Sequence, residues 1–193
     1  MKLLIFDTET TGLPPKNSKI LDPETWPYMV QLSWMTYNVA TRKYTLYDYI
    51  INCPVDIPEE STNIHKITTS MCKKQGYQFS DILAIFRECY LQCDLVVAHN
   101  FTFDRDMILI ECMRANLPFS FSKPVYCTML SNTYLNQGKW PKLIWLHQFL
   151  FHEDAKNLHN SLIDVIVCFR CYMKVMYHED IFEKVKGLKQ KMR

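Results

Sequence analysis

Residues Phe6-Asp7-Thr8-Glu9-Thr10-Thr11-Gly12 place two carboxylates two positions apart at the end of an apolar run. Side chains alternate across a strand, so Asp7 and Glu9 point to one face. Neighbouring carboxylates repel and resist joint ionisation. An apolar strand that runs straight into such a pair calls for a compensating cation, and a hard divalent ion with oxygen ligands is the obvious candidate. The plainer alternative is a solvated strand end.

Two further clusters carry the same chemistry. Ala98-His99-Asn100-Phe101-Thr102-Phe103-Asp104 follows the apolar Leu95-Val96-Val97, and sets Asp104 at the start of a helix behind a buried strand. Alone, Asp104 reads as a first-turn acid favoured by the helix dipole. In Asn157-Leu158-His159-Asn160-Ser161-Leu162-Ile163-Asp164, Asp164 lies beside an apolar stripe of Leu162, Val165, Phe169, Tyr172 and Met176. A carboxylate there needs a partner. His159 falls at or just before the helix start and is a candidate proton acceptor; a capping or exposed histidine is the alternative. Together Asp7, Glu9, Asp104, Asp164 and His159 suit a two-metal hydrolase. Two ions about 3.5–4 Å apart can clamp a phosphodiester, and a histidine titrating near working pH can take the proton of the attacking water.

Such residues need strand ends and helix starts to hold them. Lys2–Phe6 reads as a strand buried on both faces, ended by Thr11-Gly12. A loop from Leu13 to Tyr28 carries Pro14, Pro15, Pro23 and Pro27. Met29–Tyr37 and Lys43–Ile51 read as strands joined by a short Asn38–Arg42 link, a hairpin. Helical periodicity then starts at Ser80-Asp81, with Ile82, Leu83, Ile85, Phe86 and Tyr90 on the apolar side. Asp94–Ala98 and Val125–Met129 read as short strands. Phe103–Ala115, Lys142–Phe151, His159–Met176 and Asp180–Lys191 read as helices. An antiparallel meander followed by crossover units predicts an α/β fold with a five-stranded mixed sheet flanked by helices.

The composition sets the frame. The chain of 193 residues is 48% hydrophobic and 22% charged, with 4 Gly and 9 Pro, as an ordinary globular chain is. One domain over residues 1–193 is expected, with a catalytic core of about 1–178 and a basic C-terminal helix or tail at 180–193. No run of about 18 apolar residues occurs, so no transmembrane helix is expected. Asp7 and Glu9 cut the N-terminal apolar run too short for an export signal, so the 8 cysteines read as reduced thiols of an intracellular chain, in cytoplasm or nucleus. Cys168-x-x-Cys171 has metal-like spacing but no second pair, and reads as core. The net charge of +2 is too weak to announce a broad nucleic-acid surface, and leaves room for nucleic acid held by metals at one point. Lys184, Lys186, Lys189, Lys191 and Arg193 form either a solvated tail or a strip that tracks phosphates.

The three clusters, in this order and covering most of the chain, resemble the exonuclease motifs of the DEDDh, or DnaQ-like, family of 3′-to-5′ exonucleases. The resemblance implies an RNase H-like fold and two Mg²⁺ or Mn²⁺ ions held by Asp7, Glu9, Asp104 and Asp164. It implies His159 as general base and nucleoside 5′-monophosphates as products. Pro58 to Thr68 is similar to the family segment ending in His-Gly-Ile-Thr, which nominates His65 and, beside it, Glu60 near the terminal nucleotide. Thr8, between two ligands, has backbone that would face the terminal sugar. Lys66 departs from the usual glycine, and Ser161 and Cys168 stand where many relatives carry alanine and threonine. The small size at Ser161 is kept, so little effect on chemistry is expected. The chain lacks a long C-terminal extension of the polymerase-docking kind, which favours a self-sufficient nuclease over a proofreading subunit; no polymerase partner and no membrane are indicated.

The remaining residues read more plainly. His99 packs or hydrogen-bonds beside the sheet, and Asn100 orients backbone near Asp104. Among the tryptophans, Trp26 and Trp140 lie in proline-containing loops and are the better candidates for stacking on single-stranded bases. The function expected is a metal-dependent 3′-to-5′ exonuclease on single-stranded or unpaired DNA ends, since unpaired ends cost least to open. An RNA-directed 3′-to-5′ exonuclease is the first alternative. A nuclease-dead nucleic-acid-binding module is the second, and the intact set of carboxylates and histidine argues against it.

Overall fold

The computed structural model describes residues 1–16, 22–155, 158–185 and 187–192. Lys186, Arg193 and Asn157 lie outside the described residues, as do the side chains at 191–193. Five strands form one sheet: β1 (Lys2–Thr10), β2 (Met29–Asn38), β3 (Tyr44–Ile50), β4 (Leu95–Ala98) and β5 (Val125–Cys127). Their spatial order is β3-β2-β1-β4-β5. The first three run antiparallel; β1, β4 and β5 run parallel. The helices are α1 (Glu59–His65), α2 (Thr69–Gln75), α3 (Phe79–Gln92), α4 (Phe101–Arg114), α5 (Leu143–Phe151), α6 (Ser161–Tyr177) and α7 (Ile181–Lys184), with 3-10 turns at Leu130–Asn136 and Lys189–Met192. The α/β architecture read from the sequence is the one observed.

The alternation of β1 sorts its side chains into two cores. Leu4 and Phe6 pack with Phe86, Phe101, Met107 and Ile108 of α3 and α4. Leu3 and Ile5 pack with Val165, Ile166 and Phe169 of α6. Continuing the alternation, Asp7 and Glu9 face the α6 layer while Thr8 faces the α4 layer. Both faces of the central strand are therefore committed to apolar burial up to Phe6, and the polar residues begin where that burial ends.

Several boundaries differ from the sequence expectation. The first strand runs on to Thr10, so the carboxylates sit within it rather than after it. Pairing with β2 continues past Phe6, with Asp7 opposite Ser33 and Glu9 opposite Gln31. The parallel neighbour β4 reaches only as far as Ile5 on β1. Helices α1 and α2 fall in a stretch the sequence reading left without elements; each has seven residues, too short for a periodic signal. The expected Asp180–Lys191 helix is broken. Helix α7 stops at Lys184, Val185 takes an extended conformation and Gly187 has φ of 82°. Val185 and Leu188 instead turn into the core under α6. Among the described residues, no helix is long and apolar enough to cross a membrane.

Candidate active site

Past Ile5, β1 has lost its β4 partner, and its backbone must find other bonds. Asp104 supplies one. Its Oδ1 accepts the Thr8 amide at 2.9 Å and the Thr8 hydroxyl at 2.8 Å. Asp104 is therefore a buried carboxylate clamped to β1, not the solvated first-turn acid it resembles in isolation. The αL conformation of Asn100 turns the chain sharply between β4 and α4 and brings Asp104 to that position. Thr8 spends both its amide and its hydroxyl on Asp104, and in this structure it positions a carboxylate.

The α6 side brings the third cluster. Asn160 caps the helix, its Oδ1 accepting the Ile163 amide at 3.3 Å. His159 precedes the cap with φ of 68°, and its amide donates to Asp164 Oδ2 at 3.1 Å. The other oxygen, Asp164 Oδ1, is buried without a hydrogen-bond partner. The Ser161 hydroxyl donates to the Asp7 carbonyl at 2.7 Å, and its amide donates to Gln31 Oε1 at 3.3 Å. Gln31 in turn donates through Nε2 to Asp48 at 2.7 Å, where the Ser33 hydroxyl also donates. Ser161 is more than a small residue: it fastens the start of α6 to β1. Sequence reasoning missed Gln31 and Asp48. The signal available was the register, which sets Gln31 opposite Glu9 on β2 and Asp48 opposite Ser33 on β3.

This scaffold draws Asp7, Glu9 and Asp164 together, each offering an oxygen within 4.8 Å of the others. Asp104 stands beside them across β1. Burial raises the carboxyl pKa of Asp7 well above its usual value, reinforced by Asp104, Asp164 and Glu9. Burial and the charges of Asp164 and Asp104 push Glu9 up to about 8. Burial carries Asp104 to about 7 against the opposing Thr8 bonds, and Asp164 to about 7 against the opposing His159 amide. Negative charge is expensive in this cluster as it stands. The all-oxygen donor set, the close spacing and the orphaned Asp164 oxygen fit a hard divalent cation. His159 is solvent-exposed beside the cluster.

Helix α1 closes the other end of β1. The Ser61 hydroxyl donates to the Thr11 carbonyl at 2.9 Å. His65 is buried, and its Nδ1 accepts the Ile67 amide at 3.0 Å, which puts the ring proton on Nε2. Burial lowers its pKa, opposed by the Thr10 carbonyl. His65, Lys66, Gln31, Asp48, Tyr77 and Asn160 line one cleft of 450 Å³. Glu60 is exposed on the first turn of α1, and no described contact joins it to the carboxylates. Lys66 sits where left-handed backbone is required, at φ of 64°, which explains a glycine preference at that position. His99 is fixed between the Thr128 hydroxyl (2.9 Å) and the Pro141 carbonyl (3.1 Å), and burial lowers its pKa to about 4. Trp26 is buried in the α4-side core, so it offers no stacking face; Trp140 is exposed.

No family model and no curated protein matches the chain by sequence. Solved structures do match. The nuclease domain of 3′hExo, a DEDDh family member, bound to rAMP, superposes with a TM-score of 0.69 at 15% identity, covering 93% of both chains. Exonuclease X in complex with 5′ overhanging duplex DNA gives 0.62 at 19% identity, over 96% of this chain and 98% of that one. The chain shares the fold of these nuclease structures. E. coli exonuclease I in complex with a dA16 oligonucleotide gives 0.69 at 14% identity over 90% of this chain. The present chain spans only 41% of that chain's length.

Proposed function

We propose that the chain is a metal-dependent 3′-to-5′ exonuclease domain that releases nucleoside 5′-monophosphates from single-stranded or unpaired DNA ends. The observation that carries this reading is the meeting of Asp7, Glu9 and Asp164 within 4.8 Å. That cluster is half-buried, short of counter-charge, and joins the first strand to a helix that begins more than 150 residues later. Likeness to structures solved with nucleic acid or a nucleotide bound supports the same substrate class.

In this reading Asp7, Glu9, Asp104 and Asp164 hold two Mg²⁺ or Mn²⁺ ions. Bound there, the ions would polarise the attacking water and the leaving oxygen. The protein's own part is positional and protolytic. Thr8 and Ser161 fix the two carboxylates that come from the helices and the strand they must meet. His159 accepts the proton of the attacking water as its oxygen bonds to phosphorus. The bond from phosphorus to the 3′ oxygen breaks, that oxygen stays on the shortened strand and takes a proton from solvent water, and His159 returns its own proton to solvent. His65, Thr8 and Glu60 are assigned to the terminal nucleotide. RNA is the second reading, supported by the rAMP seen in the 3′hExo nuclease domain.

The test uses oligonucleotides labelled at the 5′ end, in DNA and RNA form, with Mg²⁺, Mn²⁺ or EDTA. Wild type should shorten them stepwise with release of 5′-mononucleotides, and Asp7→Ala and His159→Ala should not. The faster substrate sets the class. Binding without hydrolysis under every metal condition would instead identify a binding module.

A further inference from the structure

The loop between the 3-10 turn at Leu130–Asn136 and α5 has no role in the reaction described above. Its backbone is closed on itself. The Gly138 amide donates to the Thr133 carbonyl at 2.8 Å, and the Lys139 amide to the Asn136 carbonyl at 2.9 Å. Gln137 and Gly138 both take positive φ, 53° and 81°. A side chain at Gly138 would meet nothing within 4 Å, so the backbone angle alone accounts for glycine there. This braced turn holds Trp140 with 70% of its surface in water. Lys139 and Lys142 are exposed on either side of it, while Pro141 is buried.

The same loop is tied to the elements that carry the carboxylates. The Pro141 carbonyl meets His99 Nε2 at 3.1 Å, and His99 Nδ1 meets the Thr128 hydroxyl at 2.9 Å. His99 follows directly on β4 and leads into α4 and Asp104. The Thr128 hydroxyl lies 3.5 Å from Cys168 Sγ, one turn beyond Asp164 on α6. A half-buried histidine thus links the Trp140 turn to the start of α4 and, through Thr128, to the second turn of α6. Charge adds a second observation. From Cys112 to His152 the chain contains no Asp or Glu, although it has 20 such residues in all. Arg114, Lys123, Lys139 and Lys142 fall within that stretch.

An exposed flat apolar ring flanked in sequence by two exposed lysines, in a stretch of chain free of carboxylates, complements a polyanion that displays flat apolar faces. We propose that Trp140 is a stacking platform for a base of the single strand behind the scissile end, with Lys139 and Lys142 against its phosphates. The proposal rests on the nuclease reading for its substrate class and adds a subsite to it. It makes Trp140 a determinant of length preference: short ends that never reach the loop gain nothing from it.

The experiment has two arms. In EDTA, where hydrolysis is stopped, an oligothymidylate of about ten nucleotides is titrated while tryptophan fluorescence is followed. Trp26 and Trp34 are buried and Trp145 is half-buried with its ring stacked on Phe149, so the exposed Trp140 should dominate any quenching. Wild type should be quenched, and Trp140→Phe should lose most of that signal. In Mg²⁺, Trp140→Ala should raise KM for the same oligonucleotide about 10-fold and leave a dinucleotide substrate unaffected, while Trp140→Phe keeps a ring and falls between. Undiminished quenching in Trp140→Phe, an equal slowing of both substrates by Trp140→Ala, or no change in either would overturn the proposal. Rapid hydrolysis by wild type with no quenching would remove this subsite alone. Failure of wild type either to bind or to cleave any strand would remove the nuclease reading and this subsite with it.

Discussion

Helix α6 carries a buried arginine and a half-buried aspartate with one buried oxygen, and they are treated in opposite ways. Arg170 is 4% exposed and saturated with partners. Its Nε bonds Asp180 at 2.9 Å, its terminal nitrogens bond Asp180, Glu153 and His147, and the rings of Phe151 and Phe182 cover its faces. Less than two turns earlier on the same helix, Asp164 keeps one buried oxygen unpartnered and faces two more carboxylates. A buried charge normally demands compensation. The arginine receives it from the protein, where it locks α5 and α7 to α6. The carboxylates do not, and the physical account that fits is that their compensation comes from outside the chain. The middle of the helix is built for stability, and under the proposed function its first turn is built for a cation.

The contrast breaks most sharply under substitution at the acidic end. Asp7→Ala should reduce hydrolysis of a 3′-unpaired oligonucleotide on the order of 10³-fold or more, because the electrostatic stabilisation of the reacting phosphate goes with the ion. The folded protein should survive, as circular dichroism would show. At the other end, Arg170→Met should cost about 3 kcal/mol in chemical denaturation, since it leaves Asp180 and Glu153 without their partner. Activity of the remaining folded molecules should change little, and a loss as large as that of Asp7→Ala would deny the division of labour.

The pH dependence sharpens the same comparison. Glu9 at about 8, and Asp104 and Asp164 at about 7, are raised above their unfolded values. The folded state therefore binds protons more tightly than the unfolded chain. Without metal, stability should be greatest at low pH within this window and should fall as pH rises from about 4 through 8. Glu9→Gln should flatten that fall and raise the metal-free melting temperature at pH 8 by about 3 °C or more. A melting temperature that instead climbs over this range would contradict the proposed burden of charge. The smallest effect is expected at Lys66, held at φ of 64°. Lys66→Gly should relieve the left-handed strain by about 0.5–1 kcal/mol, readable as a small rise in denaturant midpoint.

The elements that were legible in the sequence were those set by local pattern. The period-2 rule placed Asp7 and Glu9 on one face, and the sheet confirms the shared face through their cross-strand partners Ser33 and Gln31. The apolar stripe of α6 gave its course, and its true start at Ser161 follows from Asn160, whose side chain caps it. What escaped depends on partners distant in sequence. Asp104 looks like any first-turn acid until the end of β4 exposes the Thr8 amide to it. Trp26 looks like a loop residue until Arg114 grips the carbonyls of Pro23, Trp26 and Pro27 and folds that loop onto α4. Ser161 looks interchangeable with alanine until its hydroxyl meets the Asp7 carbonyl. The broken C-terminal helix shows the same limit, since its core contacts outweigh its charge-rich helical pattern.

The most direct measurement is a titration of the metal-free protein with Mn²⁺, followed by melting temperature at pH 7.5 in wild type and in Asp164→Asn. The amide keeps the shape of Asp164 and removes its charge. Wild type should rise by several degrees at saturation, as binding to the folded state requires. Asp164→Asn should begin higher than metal-free wild type and respond weakly to the ion. An equal Mn²⁺ response in the two proteins would contradict the claim that Asp7, Glu9 and Asp164 leave their charge uncompensated in order to hold a cation.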